Sequence, residues 1–220
     1  MGLIETNLDT LNFAELYKEQ MKSSTFKGKN SKDWDKRASG MNLNVHKSFY
    51  TKTFIDKIDT TNASSLLDVG CGPGTIALSI ASKMQKVYAL DYSEGMLDCV
   101  KNNCKEKKLS NVVTIHKSWE DNWDDVPKAD IVVASRSMEV KDIKDALIKL
   151  NSNIPLVAIE DAIDILRKPQ QASLVQNNRA FHQMILQGIS VDIKKDDEIK
   201  GDVVKLIDFE NFSNNDFLVV

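Results

Sequence analysis

The sequence predicts an α/β fold built on a doubly wound parallel sheet, and two observations carry this prediction. From Ser64 onward, short apolar segments alternate with segments of helical spacing, and a glycine-rich turn follows the first apolar segment. Short apolar strands joined by helices are typical of a parallel sheet covered on both faces. Because crossovers between such strands are right-handed, we expect helices on both sides of the sheet.

The elements of this alternating pattern can be read in chain order. Five segments have the character of buried strands: SLLDV, KVYALD, NVVTIHK, ADIVVAS and IPLVAIE. Between them we predict helices over Ile76–Met84, Glu94–Lys107 and Lys141–Leu150. Ser93 precedes the second of these helices and is a suitable N-cap, because its hydroxyl can accept from a backbone amide of the first turn.

The segments on either side of this pattern have a different character. Residues 1–62 contain few strand signals and two stretches of helical spacing, Asn12–Met21 and Asn44–Ile58. After residue 160 come two predicted helices around a Pro/Gln break, and then three strand-like runs, ISVDIK, VVKLIDF and DFLVV. The chain therefore divides into an N-terminal helical segment (1–62), an α/β domain (63–160) and a C-terminal α+β tail (161–220).

Composition and charge exclude several classes of protein. With 42% hydrophobic and 28% charged residues in 220, the chain has the composition of a globular domain. A net charge of −3 shows no general bias toward nucleic acid or anionic membranes. We see no secretory signal and no run of about 18 apolar residues, so we expect no membrane association. Cys71, Cys99 and Cys104 lack metal-ligand spacing, which favours reduced thiols, no metal site and a cytoplasmic location.

The turn after the first strand, LLDVGCGPGT, carries the most specific signal. It places glycines at alternate positions, Gly70, Gly72 and Gly74. A dinucleotide fingerprint requires its third glycine where Thr75 stands, and a P-loop requires a Lys–Ser/Thr pair after the last glycine. Both phosphate-binding alternatives therefore lack a required residue. The pattern that remains is D-x-G-x-G-x-G, which begins at Asp68.

This pattern and two later stretches resemble the class I S-adenosylmethionine-dependent methyltransferases. LLDVGCGPG is similar to the first motif of that family, VYALDYSEGMLDCV to its second, and ADIVVASRSMEV to its segment at the fourth strand. DWDKRAS is similar to the lid-like start of many members that act on small molecules. The likeness covers about Trp34 to Leu150. It implies a Rossmann-like sheet of the class I methyltransferase type, with residues 1–62 as a helical lid and 63–160 as the cofactor-binding domain.

The resemblance implies S-adenosylmethionine as the cofactor, and the residue chemistry fits that ligand. The ligand carries a sulfonium, an ammonium, a carboxylate and a ribose but no phosphate. Asp68 places negative charge beside a cationic ligand, and Asp91 offers two oxygens to the ribose hydroxyls. The backbone of Gly70 and Gly72 is expected to serve the amino-acid end. The expected cofactor-binding residues are Asp68, Gly70, Cys71, Gly72, Gly74, Asp91, Tyr92, Met96, Ser118, Trp119, Glu120 and Ser135.

The contact to adenine leaves alternatives open. The resemblance places it at Ser118, Trp119 and Glu120, with Tyr92 and Met96 packing on the ring. Many members have an acid where Ser118 stands, so Glu120 or Asp121 is an alternative partner for the adenine amino group. For Trp119, core packing is an equally good expectation, and a small-residue role is expected for Cys71.

The reaction implied by the resemblance is in-line methyl transfer, for which alignment and water exclusion provide most of the acceleration. A base is needed only if the acceptor must lose a proton, and we assign no catalytic residue. Candidates near the methyl group follow the fourth strand: Ser135, Arg136, Ser137 and Glu139. Arg136 fits either an acidic substrate or a surface ion pair.

A small molecule is the leading methyl acceptor, with protein or RNA behind it. Enzymes that methylate amino groups of DNA resemble one another in a (D/N)-P-P-(Y/F) motif after the fourth strand, where this chain has SRSM. Cytosine-carbon methylation needs a Pro-Cys nucleophile, which does not occur in this sequence. We therefore expect no nucleic-acid partner except through the tail. The sequence predicts no oligomeric state.

The tail carries a second resemblance. Ser173–Val220 is similar to the N-terminal segment of type I restriction enzyme R subunits in NNRAFH, GDVVKLIDF and NNDFLVV. In that family the segment begins a nuclease domain whose metal-binding residues would lie past Val220, so no nuclease activity is expected here. The tail either supplies closing strands of the sheet or is a fused restriction-subunit fragment, and three matches in order favour the fragment.

The sequence thus leaves three functions open. The leading one is an S-adenosylmethionine-dependent methyltransferase. The second is a truncated or fused restriction component whose tail binds DNA or partner subunits. The third is a cofactor-binding scaffold without turnover.

Overall fold

The computed structural model describes residues 12–23, 29–43, 49–56, 58, 60–138, 140–152, 157–160 and 205–206. The helices in this part of the chain are α1 (Phe13–Ser23), α2 (Ser31–Asn42), α3 (Phe49–Asp56), α4 (Thr75–Ile80), α5 (Glu94–Lys107) and α6 (Ile143–Ser152). The strands are β1 (Ser65–Val69), β2 (Lys86–Asp91), β3 (Val112–His116), β4 (Ile131–Ser135), β5 (Val157–Glu160) and β6 (Lys205–Leu206).

The described strands form one sheet in the order β3-β2-β1-β4-β5-β6, and every pair in it is parallel. Leu66 of β1 lies opposite Val87 of β2 on one side and Ile131 of β4 on the other. The chain runs outward from β1 to β3 and then returns to β4 beside β1. The strand order therefore reverses between β1 and β4, and a crevice at the carboxyl ends of such strands is where this type of sheet binds ligands.

Apolar layers cover both faces of the sheet, which confirms the predicted doubly wound α/β fold. Leu66 packs in one layer with residues of α3, α4 and α5, whereas Leu67 packs in the other with residues of α1 and α6. Successive residues of a strand point to opposite faces, so one short strand contributes to both layers. Burying each Leu stabilises the fold by about 1.5–3 kcal/mol.

Helix α5 has the bounds that the sequence predicts, because its end signals are local. The Ser93 hydroxyl accepts from the backbone N–H of Met96 at 3.2 Å, and Lys108 ends the helix with φ +55°. Helix α4 is shorter than the predicted Ile76–Met84. It ends at Ile80 and continues as one 3₁₀ turn to Lys83, where the Asn111 side chain donates to two end carbonyls at 2.8 Å each.

The N-terminal segment contains α2, which the hydrophobic pattern does not predict. Among its residues only Ala38 is buried, so the helix lacks the apolar stripe by which helices are recognised in a sequence. Its start is instead fixed by a capping box, in which the Asn30 and Asp33 side chains accept from each other's backbone N–H at 3.1 and 3.2 Å. Helix α3 falls within the predicted stretch Asn44–Ile58, whereas α1 begins within Asn12–Met21 and continues to Ser23. Residues 44–48 lie outside the described residues.

The described part of the tail is short. Val157–Glu160 forms the second half of the predicted strand IPLVAIE, and Lys205–Leu206 pairs with it in parallel, with Lys205 opposite Ala158. The two predicted tail helices and the runs ISVDIK and DFLVV lie outside the described residues. In the described chain, none of the helices has the length and apolar character needed to span a bilayer.

Candidate cofactor-binding site

The glycine-rich turn lies at the carboxyl end of β1, next to the point where the strand order reverses. Gly70, Gly72 and Gly74 have φ values of +69°, +55° and +91°, in the left-handed region that glycine adopts without strain. A Cβ on Gly70 would lie 2.3 Å from the Ser137 Cβ, so this glycine is also required by a close approach of the loop after β4. A Cβ on Gly72 would meet nothing within 4 Å, which shows open space beside the loop.

The backbone of this turn is anchored to β2. The N–H groups of Gly70 and Cys71 both donate to the Leu90 carbonyl, at 2.8 and 3.0 Å. The Cys71 side chain is buried in the apolar layer formed with α3, α4 and α5, and burial raises the pKa of its thiol. The thiol therefore lies in the protein interior, in agreement with a small-residue packing role.

Asp91 ends β2 and connects the glycine turn to the next loop. One carboxylate oxygen accepts from the Gly72 N–H at 2.8 Å and the other from the Ser93 N–H at 2.9 Å. The residue is 6% exposed, and burial raises the pKa of Asp91 while these backbone donors oppose the rise. Each carboxylate oxygen has two acceptor positions, so the backbone donors of Gly72, Ser93 and Tyr92 do not exhaust the acceptor capacity of Asp91.

Asp68 has a partner within the fold. Its carboxylate accepts from the Ala77 N–H at 3.0 Å, in the first turn of α4. The N-cap of α4 is Gly74, which has no side chain to accept from the backbone N–H groups of this turn. The residue is buried, and burial, with the nearby charge of Asp91, raises the pKa of Asp68 to about 7. Asp68 thus joins β1 to α4 and places a titratable group behind the glycine turn.

Tyr92 and Met96 follow Asp91 in the chain. The Tyr92 hydroxyl donates to the Lys29 carbonyl at 2.8 Å, and burial, followed by the charge of Asp91, raises the pKa of Tyr92 to about 12. Met96 is 1% exposed, so in this conformation almost none of its surface is open to a ligand.

The loop after β3 is organised by internal hydrogen bonds. The Ser118 N–H donates to Asp121 at 2.7 Å, and Glu120 is exposed, 4.0 Å from Lys141. The Trp119 ring stacks on Trp123 with 5.1 Å between centroids. Asp121 therefore orders the turn at the position where the sequence departs from the family pattern.

The loop after β4 is held against the end of β1 and against the loop after β3. Ser135 ends β4, and Arg136 is exposed with φ +57°, a left-handed conformation that is uncommon for a residue with a side chain. The Ser137 hydroxyl donates to the Val69 carbonyl at 2.8 Å, and the Ser137 carbonyl accepts from the Trp119 indole N–H at 2.9 Å. Glu139 lies outside the described residues.

Two aromatic side chains of the N-terminal segment have partners within the protein. The Tyr17 hydroxyl donates to the Val140 carbonyl at 2.8 Å, and the residue is buried. Trp34 has Lys29 Nζ at 4.8 Å from its ring centroid and the Arg37 guanidinium at 5.8 Å. His46 and the side chain of Tyr50 lie outside the described residues.

One residue that contacts the site was not singled out by the sequence. Asp35, on α2, accepts from the Ser93 hydroxyl at 2.6 Å and from the Gly95 N–H at 2.9 Å. The contact joins residues 58 positions apart, and no local pattern signals it. The motif DWDKRAS contains the residue but does not reveal its partner.

The sheet order and the site together define a class of protein. Left-handed glycines after β1 and a buried carboxylate at the end of β2 are the features of a Rossmann-like domain that binds a nucleoside ligand at its strand ends. Residues 66–153 match the family model for the methyltransferase domain. This match agrees with the resemblance to the class I S-adenosylmethionine-dependent methyltransferases that the sequence motifs carry.

Three curated relatives extend this comparison. An uncharacterised protein of Haemophilus influenzae is 44% identical over 142 residues, which are 64% of this chain and 53% of that protein. A release factor glutamine methyltransferase of Aliivibrio fischeri is 38% identical over 78 residues, 34% of this chain and 28% of that protein. A type I restriction enzyme HindI endonuclease subunit of Haemophilus influenzae is 31% identical over 81 residues, 37% of this chain and 8% of that protein.

Each match covers only part of the relative's length. The chain spans about half the length of the first relative, at 53%, and smaller fractions of the other two. Among solved structures, a putative S-adenosylmethionine-dependent methyltransferase from Methanococcus maripaludis has a TM-score of 0.47 and 16% identity. The match covers 80% of this chain and 85% of that one.

Proposed function

We propose that this chain binds S-adenosylmethionine at the carboxyl ends of β1 and β2 and transfers its methyl group to a small molecule. The observation that carries the proposal is the position of Asp91. Its buried carboxylate fixes the glycine turn through the Gly72 N–H and retains acceptor positions beside open space. A carboxylate in that position suits two adjacent ribose hydroxyls.

The other contacts of the cofactor follow from the same arrangement. The amides of Gly70 and Gly72 already donate within the protein, which favours the carbonyl oxygens of the turn as partners for the ligand ammonium. With its pKa raised to about 7, Asp68 is partly ionised at neutral pH, and its ionised form behind the turn favours a cationic ligand over a phosphate. The adenine is proposed to lie between Tyr92 and the loop after β3, near Trp119 and Glu120.

Bound S-adenosylmethionine supplies an activated methyl group for in-line displacement. The chain's own task is then to align the acceptor with that methyl and to exclude water. The loop after β4 is proposed to take part in this alignment, and the hydrogen bond that holds Ser137 against the end of β1 supports this role. No described residue is assigned as a general base, since an acceptor with a free lone pair needs none.

A small-molecule acceptor is supported by the sequence after β4 and by the helical segment before the sheet. SRSM stands where amino-methylating DNA enzymes carry their motif, and α2 packs beside the proposed cofactor site. The relatives do not choose an acceptor, since one of them is named for a release factor and another is uncharacterised. A cytoplasmic location stays a prediction.

Calorimetric titration with S-adenosylmethionine and S-adenosylhomocysteine tests the cofactor assignment. We expect the wild-type chain to bind both ligands and Asp91→Ala to weaken binding by about 10- to 100-fold, the effect of losing hydrogen bonds to a charged group. Asp98→Ala is the matched control, because Asp98 lies on α5 and pairs only with Lys101 among the contacts described. A folded wild-type chain that binds neither ligand would contradict the proposal.

A transfer assay separates an enzyme from a scaffold. The chain is incubated with S-adenosylmethionine carrying a labelled methyl group and a panel of small-molecule acceptors, and labelled product is measured. Transfer to any acceptor supports the enzyme. Tight cofactor binding with no transfer to small molecules, protein or RNA would favour a scaffold without turnover.

The match to a restriction endonuclease subunit supports a second candidate function. At 81 residues, the matched stretch is longer than the tail segment 173–220 in which the sequence shows the resemblance. A fused restriction component would use the tail to bind DNA or partner subunits. We expect a DNA mobility shift that is lost on deletion of residues 169–220 if this candidate holds, and a shift that survives the deletion counts against it.

A further inference from the structure

We propose that Asp35, on helix α2, is a positioning residue for Asp91, and that it sharpens recognition of the ligand ribose without touching the ligand. The proposal deepens the proposed function and rests on it, because ribose binding by Asp91 is part of that function. Four observations support it: hydrogen bonds that link Asp35 to Asp91 through Ser93, contacts at both ends of α2, the close approach of α2 to α5, and the negative charge of Asp35.

The hydrogen bonds run from Asp35 to Asp91 through one residue. Asp35 accepts from the Ser93 hydroxyl at 2.6 Å, and the Ser93 N–H donates to Asp91 at 2.9 Å. Ser93 has no exposed surface, so its hydroxyl cannot exchange this partner for solvent without local rearrangement. Asp35 therefore fixes the residue that orients one of the two Asp91 oxygens.

Further contacts hold α2 in place along α5. The Tyr92 hydroxyl donates to the Lys29 carbonyl at 2.8 Å, just before α2 begins. At the other end of α2, the Asn103 side-chain amide donates to the Asn42 side chain at 2.7 Å and to the Pro73 carbonyl at 3.3 Å. The start of α2 is thus attached to Tyr92, which follows Asp91. Its end is attached to Asn103, which also bonds to Pro73 in the glycine turn.

The approach of the two helices depends on Gly95. A Cβ at this position would lie 3.0 Å from the Asp35 Cα and 3.2 Å from its carboxylate. A glycine in the first turn of α5 lowers helix propensity by about 1 kcal/mol relative to alanine. Close packing against Asp35 accounts for a residue that the helix alone would disfavour.

Asp35 is suited to the role as a charged group. The Ser93 hydroxyl and the Gly95 N–H hold the pKa of Asp35 below its ordinary value, so it is a carboxylate at neutral pH. It stands at the amino end of α5, where the helix dipole favours negative charge. The same oxygen accepts both hydrogen bonds, so an amide oxygen in its place can accept them too.

The test compares S-adenosylhomocysteine with its 2′-deoxy analogue, using calorimetric titration of the 220-residue chain. The ratio of the two dissociation constants measures recognition of the ribose hydroxyl, and it does not change if a variant merely lowers the folded fraction. We expect a wild-type ratio of about 10 to 100, the effect of one hydrogen bond to a charged group. Asp35→Ala should lower that ratio by about 3- to 10-fold, because Asp91 is misplaced but still present.

Two further variants make the outcome specific. Asp35→Asn should keep the wild-type ratio, because its amide oxygen replaces the accepting carboxylate oxygen. Lys36→Ala, on the exposed surface of the same helix, should also keep it. If Asp35→Ala does not fold, Gly95→Ala provides the same test, since its Cβ displaces α2 while alanine favours the helix.

The outcomes separate the two proposals. A wild-type ratio retained in both Asp35→Ala and Gly95→Ala overturns the positioning role and leaves the proposed function intact. A folded wild-type chain that binds neither ligand overturns both. A lowered ratio in these variants, with Asp35→Asn and Lys36→Ala like wild type, establishes Asp35 as a positioning residue.

Discussion

The side chain of Ser137 fills the space in front of Gly70, so that a Cβ on the glycine would lie 2.3 Å from the Ser137 Cβ. The Ser137 hydroxyl donates to the carbonyl of Val69, the residue before Gly70. The loops after β1 and β4 are therefore in contact at the point where the strand order reverses. This contact leaves no room for a side chain at the first glycine of the turn.

Substitution of Gly70 is expected to be more damaging than substitution of Gly72. Both have positive φ, which costs an alanine about 1–2 kcal/mol. Only Gly70→Ala adds a steric clash, with Ser137, so its free energy of unfolding should fall by about 3 kcal/mol or more. Urea denaturation measures both variants. Equal losses would show that Ser137 yields to the added methyl group.

Trp119→Phe tests the link between the loops after β3 and β4. The change keeps an aromatic ring to stack on Trp123 but removes the indole N–H that donates to the Ser137 carbonyl. Losing this hydrogen bond should lower the free energy of unfolding by about 1 kcal/mol. The measurement is urea denaturation monitored by circular dichroism, with Tyr88→Phe as a control in the same sheet. An unchanged free energy would mean that water replaces the indole donor.

Asp68 should make the ligand-free protein less stable as the pH rises from about 4 to 7. Its folded-state pKa is raised to about 7, mainly by burial, above the ordinary value of 3.8. The folded state therefore binds this proton more tightly, and the stabilisation that is complete below pH 4 is lost as pH rises through the folded-state pKa. Asp68→Asn removes the titrating group and keeps an oxygen for the Ala77 N–H.

Urea denaturation at several pH values measures this effect. In the wild type, the free energy of unfolding should contain a component that falls between pH 4 and 7, and Asp68→Asn should lack it. If the two proteins show the same slope across that interval, Asp68 is not the group responsible.

Asp130 should act in the opposite direction and at lower pH. The backbone N–H and hydroxyl groups of Ser64 and Ser65 all donate to one oxygen of its carboxylate, at 2.8 to 2.9 Å. These donors, the Ser64 hydroxyl first, lower the pKa of Asp130 to about 2. Its stabilisation is therefore present above about pH 4 and is lost as pH falls toward 2.

Thermal unfolding of Asp130→Ala tests this contribution. The variant should have a lower Tm than the wild type at pH 7, and the difference should shrink as pH falls from 4 to 2. Asp124→Ala, in the neighbouring exposed loop, is the control. A Tm difference that stays constant down to pH 2 would show that Asp130 acts through packing and not through charge.

Elements with local end signals were predictable from the sequence. Helix α5 has the predicted bounds because the Ser93 N-cap and the end at Lys108 depend on neighbouring residues alone. The first strand, SLLDV, and the second, KVYALD, also match, since each is an apolar run bounded by turn residues. Helix α2 was not predicted because it buries only Ala38, and packing against α5 replaces the apolar stripe.

The candidate site, too, was only partly predictable from the sequence. The D-x-G-x-G-x-G spacing and the acid that ends β2 were visible in the sequence, because each belongs to a short motif at the end of a predicted strand. The partners of these residues were not visible. Ser137 meets Gly70 and Asp35 meets Ser93 only because loops far apart in the chain converge at one edge of the sheet.

By itself, the sequence determined the parallel α/β sheet and the glycine turn, because each is encoded in a short stretch with its own periodicity or spacing. Its motifs also carry the resemblance from which the cofactor is proposed. Only the tertiary structure decided which loops contact one another. In the folded protein Cys71 is buried, Asp68 accepts from a backbone N–H of α4, and α2 contacts the turn after Asp91. These outcomes depend on long-range packing, where the energy of a contact is set by residues that the local sequence does not contain.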